Sequence, residues 1–187
     1  MEIKKIIAKK ELESIGGTPQ VFRYWDKNNR NYIDILSSVD SPCKGVISYA
    51  TIGLSEHEID LFSNDKSLRV ELLGACDAKE EFFANILATI AFEIIQNKKC
   101  LYGDIIQNVV AEYDPNSEMK HVYLMNPFLW KKFETLEFKD RLVTWLLIVP
   151  VSDKEKDYTV KYGWEALEGQ FAEHNIDVFD LNRRSIL

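Results

Sequence analysis

The sequence has no long apolar segment, which bears on where the protein works. No apolar run approaches the roughly 18 residues needed to cross a bilayer. The first residues, MEIKKIIAKKELES, are charged throughout and lack the apolar region, roughly 7–15 residues long, of a secretory signal. We therefore expect no membrane association and a location in the cytoplasm.

Basic residues are in the minority. The chain has 23 Lys and Arg residues against 30 Asp and Glu residues, so its net charge is −7. A protein that binds nucleic acid normally presents a basic surface to the phosphate backbone, so this composition disfavours that function. The acidic excess suits a basic protein partner, although acidity also serves solubility alone.

Cysteine is scarce, and its spacing is uninformative for metal binding. Cys43, Cys76 and Cys100 are odd in number, far apart and never paired as C-x-x-C. This pattern excludes a disulfide framework and argues against a structural zinc site. We predict reduced, mostly buried thiols, with no bound metal and no cofactor.

Catalytic motifs are equally absent. The sequence contains neither G-x-G-x-x-G nor a Walker A pattern. GLSEHE at 53–58 is not a G-x-S-x-G elbow, and residue 61 is Leu where the zinc motif H-E-x-x-H needs His. Ser55 and Glu58 instead fit S-x-x-E and predict a capped helical turn after a strand, with His57 in solvent. We therefore expect that the protein is not an enzyme. The alternative is an unrecognised enzyme, which would require the scattered His and Cys residues to come together in one cleft.

Strand and helix patterns alternate along the chain without a linker or repeat. Residues 2–14 predict an amphipathic helix with Ile3, Ile6 and Ile7 on one side and Leu12 as a further candidate for that side, ending at Gly16 and Gly17. Strands are predicted at Val21–Trp25, Tyr32–Leu36, Val46–Leu54, Leu68–Gly74, Ile105–Glu112, His121–Met125 and Leu142–Val149. This order indicates one α+β domain over residues 1–187, with a mixed, mainly antiparallel sheet packed by helices.

The strongest helical pattern follows residue 77. Asp77 and Glu80 fit a capping box. The apolar residues on one side are Phe83, Ile86, Leu87, Ile90 and Ile94. Phe92 lies on the opposite side among polar residues, either covered by another layer or exposed as an anchor for a partner.

A second capping box and an alternating strand describe the other elements. Ser152 with Glu155 opens a helical segment that runs to about residue 174 and breaks near Gly163. In 68–74 apolar residues alternate with Arg69 and Glu71, which indicates a sheet with one face in water. Those two residues are expected to pair across the sheet or to form a polar site. Gly53 and Gly74 are expected to permit turns at strand ends.

Four segments, in order along the chain, resemble the Suppressor of fused family. They are YATIGLSEH at 49–57, LRVELLGACD at 68–77, LLIVPVSDKEKDYTVKYGWEALEGQF at 146–171 and IDVFDLNRRSIL at 176–187. The positions that match the family pattern are Thr51, Gly53, Leu54, Ser55, Arg69, Val70, Glu71, Leu72, Pro150, Ser152, Glu155, Gly163, Leu167, Asp180, Leu181 and Arg183. The resemblance implies a single α+β domain that binds protein and has no catalytic residues.

The bacterial branch of that family implies a function. Its members look like immunity proteins, or antitoxins, and this chain is most similar to those paired with secreted nuclease toxins of Gram-positive bacteria. The resemblance thus implies binding of a cognate basic toxin domain in a polymorphic toxin system. The alternative is a general adaptor that adds a partner strand to a sheet edge.

Family motifs do not mark the interface of an immunity protein, so candidates come from acidic loops and aromatic anchors. A toxin that cuts nucleic acid needs basic residues to hold phosphate, and an acidic inhibitor can occupy that groove. The predicted partner-binding residues are Glu56, Glu58, Asp60, Asp65, Phe92, Glu112, Tyr113, Asp114 and Glu118. The alternative for the acidic clusters is a pair of solvated loops.

Overall fold

A mixed β-sheet carries the helices of this protein. The computed structural model describes residues 2–63 and 65–187. Within them the helices are α1 (Glu2–Ile15), α2 (Phe83–Asn97), α3 (Asp153–Tyr162) and α4 (Trp164–His174). The strands are β1 (Gln20–Trp25), β2 (Tyr32–Val39), β3 (Val46–Ile52), β4 (Phe62–Ser63), β5 (Lys66–Asp77), β6 (Ile105–Ile106), β7 (His121–Met125), β8 (Leu136–Glu137) and β9 (Arg141–Val151). None of the helices in this described part is long and apolar enough to span a membrane.

The strand order confirms a mixed, mainly antiparallel sheet in an α+β domain. The order is β1-β2-β3-β5-β9-β7-β6, with β4 on β5 and β8 on β9. Strands β5 and β9 run parallel, and the other pairs are antiparallel. The two parallel strands occupy the centre, as expected for the apolar run of β9, because a central strand is covered on both faces.

Helices cover both faces of the sheet. Helix α2 packs with Val70 and Leu72 of β5 on one face, whereas α1 and α4 pack with Leu73 and Trp145 on the other. The prediction of one face in water is therefore wrong. Arg69 is 5% exposed and Glu71 is fully buried. Hydrogen bonds from residues 51–55 hold the Glu71 carboxylate, and the Arg69 guanidinium pairs with Glu58.

Helix α1 ends as predicted but buries only part of its predicted apolar side. It stops at residue 15, and Gly16 follows with a left-handed φ of 72°. The buried residues are Ile7, Glu11 and Ile15, whereas Ile6 and Leu12 are exposed. These three buried residues are spaced four apart and so lie on one face of the helix, with the Glu11 carboxyl group between two isoleucines. The apolar pattern alone does not predict a buried face that contains an acid.

Helix α2 buries its predicted apolar side but starts later. All five apolar residues of that side are buried. Asp77 is the last residue of β5, so it does not cap a helix that begins at Phe83, and the capping-box prediction is wrong. Gly74 lies within β5 against the Phe83 ring rather than at a strand end, so the expected turn there is also wrong.

The second capping box is confirmed in detail. The Ser152 hydroxyl accepts the N–H of Glu155 at 3.1 Å, and the Ser152 N–H donates to the Glu155 carboxylate at 3.0 Å. Gly163, with φ of 88°, separates α3 from α4. Strand β9 continues through Pro150, whose partner on β7 is Val122.

The segment predicted as a strand at Ile105–Glu112 is a strand only over its first two residues. The chain then turns, and the N–H of Glu112 donates to the carbonyl of Asn108. The consecutive residues Val109 and Val110 are both fully buried. Successive side chains of a strand point to opposite faces, so a strand with one exposed face would leave one of these valines in solvent. The compact turn buries both of them.

Candidate partner-binding surface

A groove lies between the outer side of α2 and the loop that joins β1 to β2. Its volume is about 740 Å³. The lining residues are Tyr24, Trp25, Asp26, Lys27, Asn28, Arg30, Asn31, Asn85, Ala88, Thr89, Phe92, Glu93, Ile95, Gln96, Glu112 and Tyr113. The groove thus joins three parts of the chain that are distant in sequence, and we refer to it as the α2 groove.

The loop wall of the α2 groove is held in shape by one carboxylate. Asp26 accepts the backbone N–H groups of Asn28, Arg30 and Asn31 at 2.8–3.1 Å. These hydrogen bonds, that of Arg30 above all, lower the pKa of Asp26, so the carboxylate stays ionised. The wall is therefore preorganised before a partner arrives.

The helix wall follows from the period of the α-helix. Asn85, Thr89, Phe92 and Gln96 recur every three or four residues, so they share one side of α2. Phe92 is half-buried: it packs against the core beneath and also faces the groove. Neither alternative from the sequence is therefore complete, since no further layer covers Phe92 in the described part of the chain.

Tyr113 closes the groove beside this wall. Its hydroxyl lies 2.6 Å from the Thr89 hydroxyl, which fixes the ring against α2. The ring also stacks on Phe82, with centroids 6.4 Å apart. Tyr113 is therefore an ordered aromatic surface rather than a mobile loop residue.

Two carboxylates, Glu93 and Glu112, complete the lining. Among the described residues, neither has a Lys, Arg or His nitrogen within 4.0 Å. Partial burial raises the pKa of Glu93, and the negative charge of Glu112 raises it further. Lys27 and Arg30 line the opposite wall together with the Asp26 carboxylate, so that wall carries two positive charges against one negative charge.

The remaining predicted residues lie elsewhere. The Asp114 carboxylate accepts the N–H of Asn116 at 3.1 Å and shapes its own turn, and Glu118 is exposed farther along that loop. Neither lines the α2 groove. The structure therefore brings together three of the nine predicted residues, Phe92, Glu112 and Tyr113.

The acidic cluster at 56–65 forms a separate surface with basic neighbours. Glu56, Asp60 and Asp65 are exposed, but Glu58 pairs with the buried guanidinium of Arg69 at 3.0 Å. The fold therefore brings a cation, Arg69, to a cluster that has no basic residue nearby in the sequence, and the surface is less acidic than the sequence indicates.

The GLSEHE segment also differs from its prediction. Leu54–Glu56 forms a 3-10 turn without a side-chain cap, so the S-x-x-E interpretation is wrong. Ser55 is buried, because its hydroxyl and N–H both donate to Glu71 at 2.6 and 3.1 Å. His57 is half-buried rather than in solvent, and burial lowers its pKa.

The scattered histidines and cysteines do not converge on a metal-binding arrangement. Across residues 2–63 and 65–187, no three His, Cys, Asp or Glu side chains are grouped to hold a metal ion. His121 is buried, and both of its ring nitrogens are occupied: one accepts the N–H of Asn108 at 2.8 Å, and the other contacts Asp153 at 2.9 Å. Such an imidazole has no free nitrogen with which to take a proton from a nucleophile.

The residues that carry the family pattern form two buried polar clusters. In the first, Glu71 accepts hydrogen bonds from Thr51 at 2.6 Å and from the N–H of Gly53 at 2.9 Å, besides those of Ser55. In the second, Arg183 binds both carboxylate oxygens of Glu155, at 2.6 and 2.7 Å. These residues hold the fold together, and they do not line the α2 groove.

Comparison with known proteins agrees with this pattern. The model of the Suppressor of fused protein (SUFU) family matches residues 29–184. The immunity protein YqcF of Bacillus subtilis (strain 168) is 41% identical over 185 residues, which cover 98% of this chain and 96% of YqcF. The chain belongs to the Suppressor of fused family.

Solved structures of the family share the fold. A Suppressor of fused homolog from Neisseria gonorrhoeae FA 1090 superposes with a TM-score of 0.74 at 14% identity, covering 100% of this chain and 98% of that one. A chain of the Sufu–Fu complex gives 0.65 at 16% identity, covering 98% and 90%. Drosophila Suppressor of Fused gives 0.64 at 13% identity, covering 98% of this chain but 50% of that one.

Sequence reasoning missed Glu93 and the loop wall of this Suppressor of fused domain. Glu93 was detectable, since it follows Phe92 and lies four residues after Thr89 on the same helix side. The loop wall could not be predicted, because Tyr24 and Trp25 are far from α2 in the sequence. They come to lie opposite α2 only when the sheet assembles.

The free edge of the sheet is a further exposed surface. Strand β1 lies at the end of the strand order. Val21, Phe22 and Trp25 are 55%, 51% and 51% exposed, which is unusual for large apolar residues on an edge strand. Trp25 also lines the α2 groove, so the two surfaces adjoin.

Proposed function

We propose that this protein is an immunity protein, or antitoxin, that binds a cognate toxin domain and neutralises it without catalysis. The partner we propose is a basic nuclease domain of a polymorphic toxin system, met in the cytoplasm. The similarity to YqcF along nearly the whole chain supports the immunity role. No catalytic step is needed, because an inhibitor that occupies the toxin has only to block it.

The observation that carries the choice of partner is the lining of the α2 groove. Phe92 and Tyr113 offer ordered aromatic surface, which is typical of binding hot spots. Glu93 and Glu112 offer carboxylates that pair with no cation among residues 2–63 and 65–187. A nuclease needs Lys and Arg to hold phosphate, so its substrate-binding surface complements this lining.

The experiment is a pulldown from the native host with tagged protein, followed by co-expression with whatever is recovered. We expect one basic toxin-domain protein that is lethal when expressed alone and harmless when expressed with this chain. Binding should be nanomolar or tighter. Recovery of many unrelated proteins, or a recovered toxin that stays lethal, would contradict the proposal.

A second candidate is an adaptor that extends the sheet at β1. The exposed apolar residues of that edge strand favour it, because a partner strand could pair with the free backbone and cover them. An adaptor should bind several short extended peptides with modest affinity. An immunity protein should bind one folded partner, so a peptide-array measurement separates the two.

A further inference from the structure

The charged lining of the α2 groove restricts what can bind there. Glu93 lies on α2 and Glu112 lies in the turn beside Tyr113. The β1–β2 loop opposite carries Lys27, Arg30 and the Asp26 carboxylate, which is bonded to backbone N–H groups of its own loop. No pair across the groove comes within 4.0 Å in the described ranges 2–63 and 65–187, so these charges are not satisfied by one another. An occupant must therefore bring charges of its own.

We propose that Glu93 and Glu112, together with the rings of Phe92 and Tyr113, receive one Lys or Arg side chain of the toxin. The inference rests on the proposed immunity function and names the chemical group that this surface recognises. Aromatic faces attract cations, and carboxylates form strong charge-assisted hydrogen bonds with them. A single basic side chain satisfies both parts of the wall at once.

Charge also decides between this occupant and others. Burial raises the pKa of Glu93, and the negative charge of Glu112 raises it further, so Glu112 adds to the cost of ionising Glu93 in the free protein. A cation between the two carboxylates relieves that repulsion, whereas an apolar or acidic side chain leaves it in place. A second copy of this chain, with its net charge of −7, is repelled as a whole.

The loop wall sets the direction of the bound segment. Lys27 and Arg30 outnumber the Asp26 carboxylate, which is bonded to its own loop, so this wall repels the captured cation and attracts an acidic or carbonyl group that follows it. The toxin segment therefore enters with its basic residue toward α2. A groove with charges of one sign on both walls would not distinguish the two orientations.

Protonation of the helix wall should weaken capture. The titratable or charged groups that line the groove with Glu93 are Tyr24, Asp26, Lys27, Arg30, Glu112 and Tyr113. The hydrogen bonds of Asp26 lower its pKa, and burial raises that of Tyr24, so neither changes charge between pH 5 and 7.5. Because its pKa is raised, Glu93 takes up a proton at a higher pH than an ordinary glutamate does, and the toxin should then dissociate faster.

The test measures toxin binding by surface plasmon resonance for Glu93→Gln, Glu112→Gln and the double variant. The matched control is Glu165→Gln, which removes one charge from an exposed position on α4, on the other face of the sheet. We expect the double variant to dissociate about 10-fold faster or more, in the range of a lost hot spot. The control should change the association rate alone, by less than about twofold, as a distant surface charge does.

A pH series gives a second readout. The dissociation rate of the natural protein should rise as pH falls from 7.5 to 5, and that of the double variant should stay flat by comparison. Equal dissociation rates for the double variant and the control, with toxin still bound and neutralised, would overturn the inference while leaving the immunity function intact. Failure of the natural protein to bind or rescue would instead overturn the immunity function.

A measurement of self-association tests whether a second copy of this chain occupies the α2 groove. Sedimentation of the natural protein and the double variant should give the same molecular mass. If the variant loses a dimer and keeps its toxin affinity, the groove is an interface between copies of this chain and the inference is wrong.

Discussion

Glu11 is a buried acid in the middle of α1. One of its oxygens accepts the indole N–H of Trp145 at 3.0 Å, and the other has no partner in the described part of the chain. Burial raises the pKa of Glu11 well above its usual value, the charge of Glu71 raises it further, and the hydrogen bond from Trp145 lowers it in part. The folded protein therefore keeps a proton here that the unfolded chain releases.

The sign of the pH effect follows from this shift. The folded pKa lies above the unfolded value of about 4.3, so the contribution of Glu11 is most favourable below that value. It declines as pH rises toward the folded pKa, because the unfolded chain ionises more easily. Glu11→Gln should raise the melting temperature by several degrees at pH 8 and by less at pH 5.

Thermal unfolding at both pH values tests the effect. Glu13→Gln is the control on the same helix, since the Glu13 side chain is 60% exposed and only meets Lys9 at 3.8 Å. It should change the melting temperature little at either pH. An equal gain at pH 5 and pH 8 for Glu11→Gln would show that ionisation of Glu11 is not involved.

At the scale of elements, the contact between α2 and β5 depends on residue 74 being a glycine, which has no side chain. A Cβ at Gly74 would overlap the Phe83 ring and lie 3.0 Å from Ile148. Phe83 cannot easily move away, because it stacks on Tyr49 with centroids 5.4 Å apart. The glycine therefore sets how closely the helix approaches the sheet.

Gly74→Ala should destabilise the protein by about 1–3 kcal/mol, as overpacking of a core does. Gly169→Ala is the matched control: no atom outside its own helix backbone and chain neighbours lies within 4 Å of its Cβ position in the described structure. That change lies within α4 and should stabilise by up to about 1 kcal/mol. Urea unfolding measures both, and a neutral Gly74→Ala would show that α2 shifts without strain.

Elements with local signals were predictable from the sequence. The Ser152–Glu155 box and Gly163 define α3 and its break because both act within one turn of chain. Asp77 and Glu80 have the same spacing, yet tertiary pairing of β5 with β3 extends the strand through residue 77. A local motif therefore indicates where an element can begin or end, and pairing with residues distant in sequence determines where it does.

The candidate site was predictable only in part for the same reason. Phe92 stands out because a period of 3.6 residues separates it from the buried side of α2. Its neighbours across the groove depend on where the β1–β2 loop folds, and that position is set by sheet register rather than by the loop sequence. Acidic and aromatic character alone singles out Glu112 and Tyr113, and only the fold places them in the same groove as Phe92.

At the scale of the whole molecule, the last residues are tied to the centre of the sheet. The Arg183 guanidinium binds both oxygens of Glu155 and the carbonyl of Pro150 at 2.9 Å. Both side chains are nearly inaccessible to solvent. The Ile186 N–H adds a contact to Glu155 at 3.2 Å, so the pair of Glu155 and Arg183 joins β9, α3 and residues 183–186.

Arg183→Ala should therefore destabilise the whole domain by about 3–5 kcal/mol, since it leaves a buried carboxylate unpaired. Arg183→Lys should lie between this variant and the natural protein, because lysine keeps the charge but loses the two-pronged contact. The control is Arg184→Ala, at an exposed position, which should stay within about 0.5 kcal/mol. Urea unfolding gives all three values, and equal effects at residues 183 and 184 would contradict the role of this contact.

The distance between the buried polar clusters and the α2 groove has a consequence for specificity. The Glu71 and Glu155 carboxylates are buried and bonded within the fold, whereas those of Glu93 and Glu112 line the groove without an ion pair in the described part of the chain. Substitutions of exposed side chains away from buried contacts are nearly neutral for stability. Changes at residues 93 and 112 can therefore alter which partner the groove accepts while the buried clusters keep the fold.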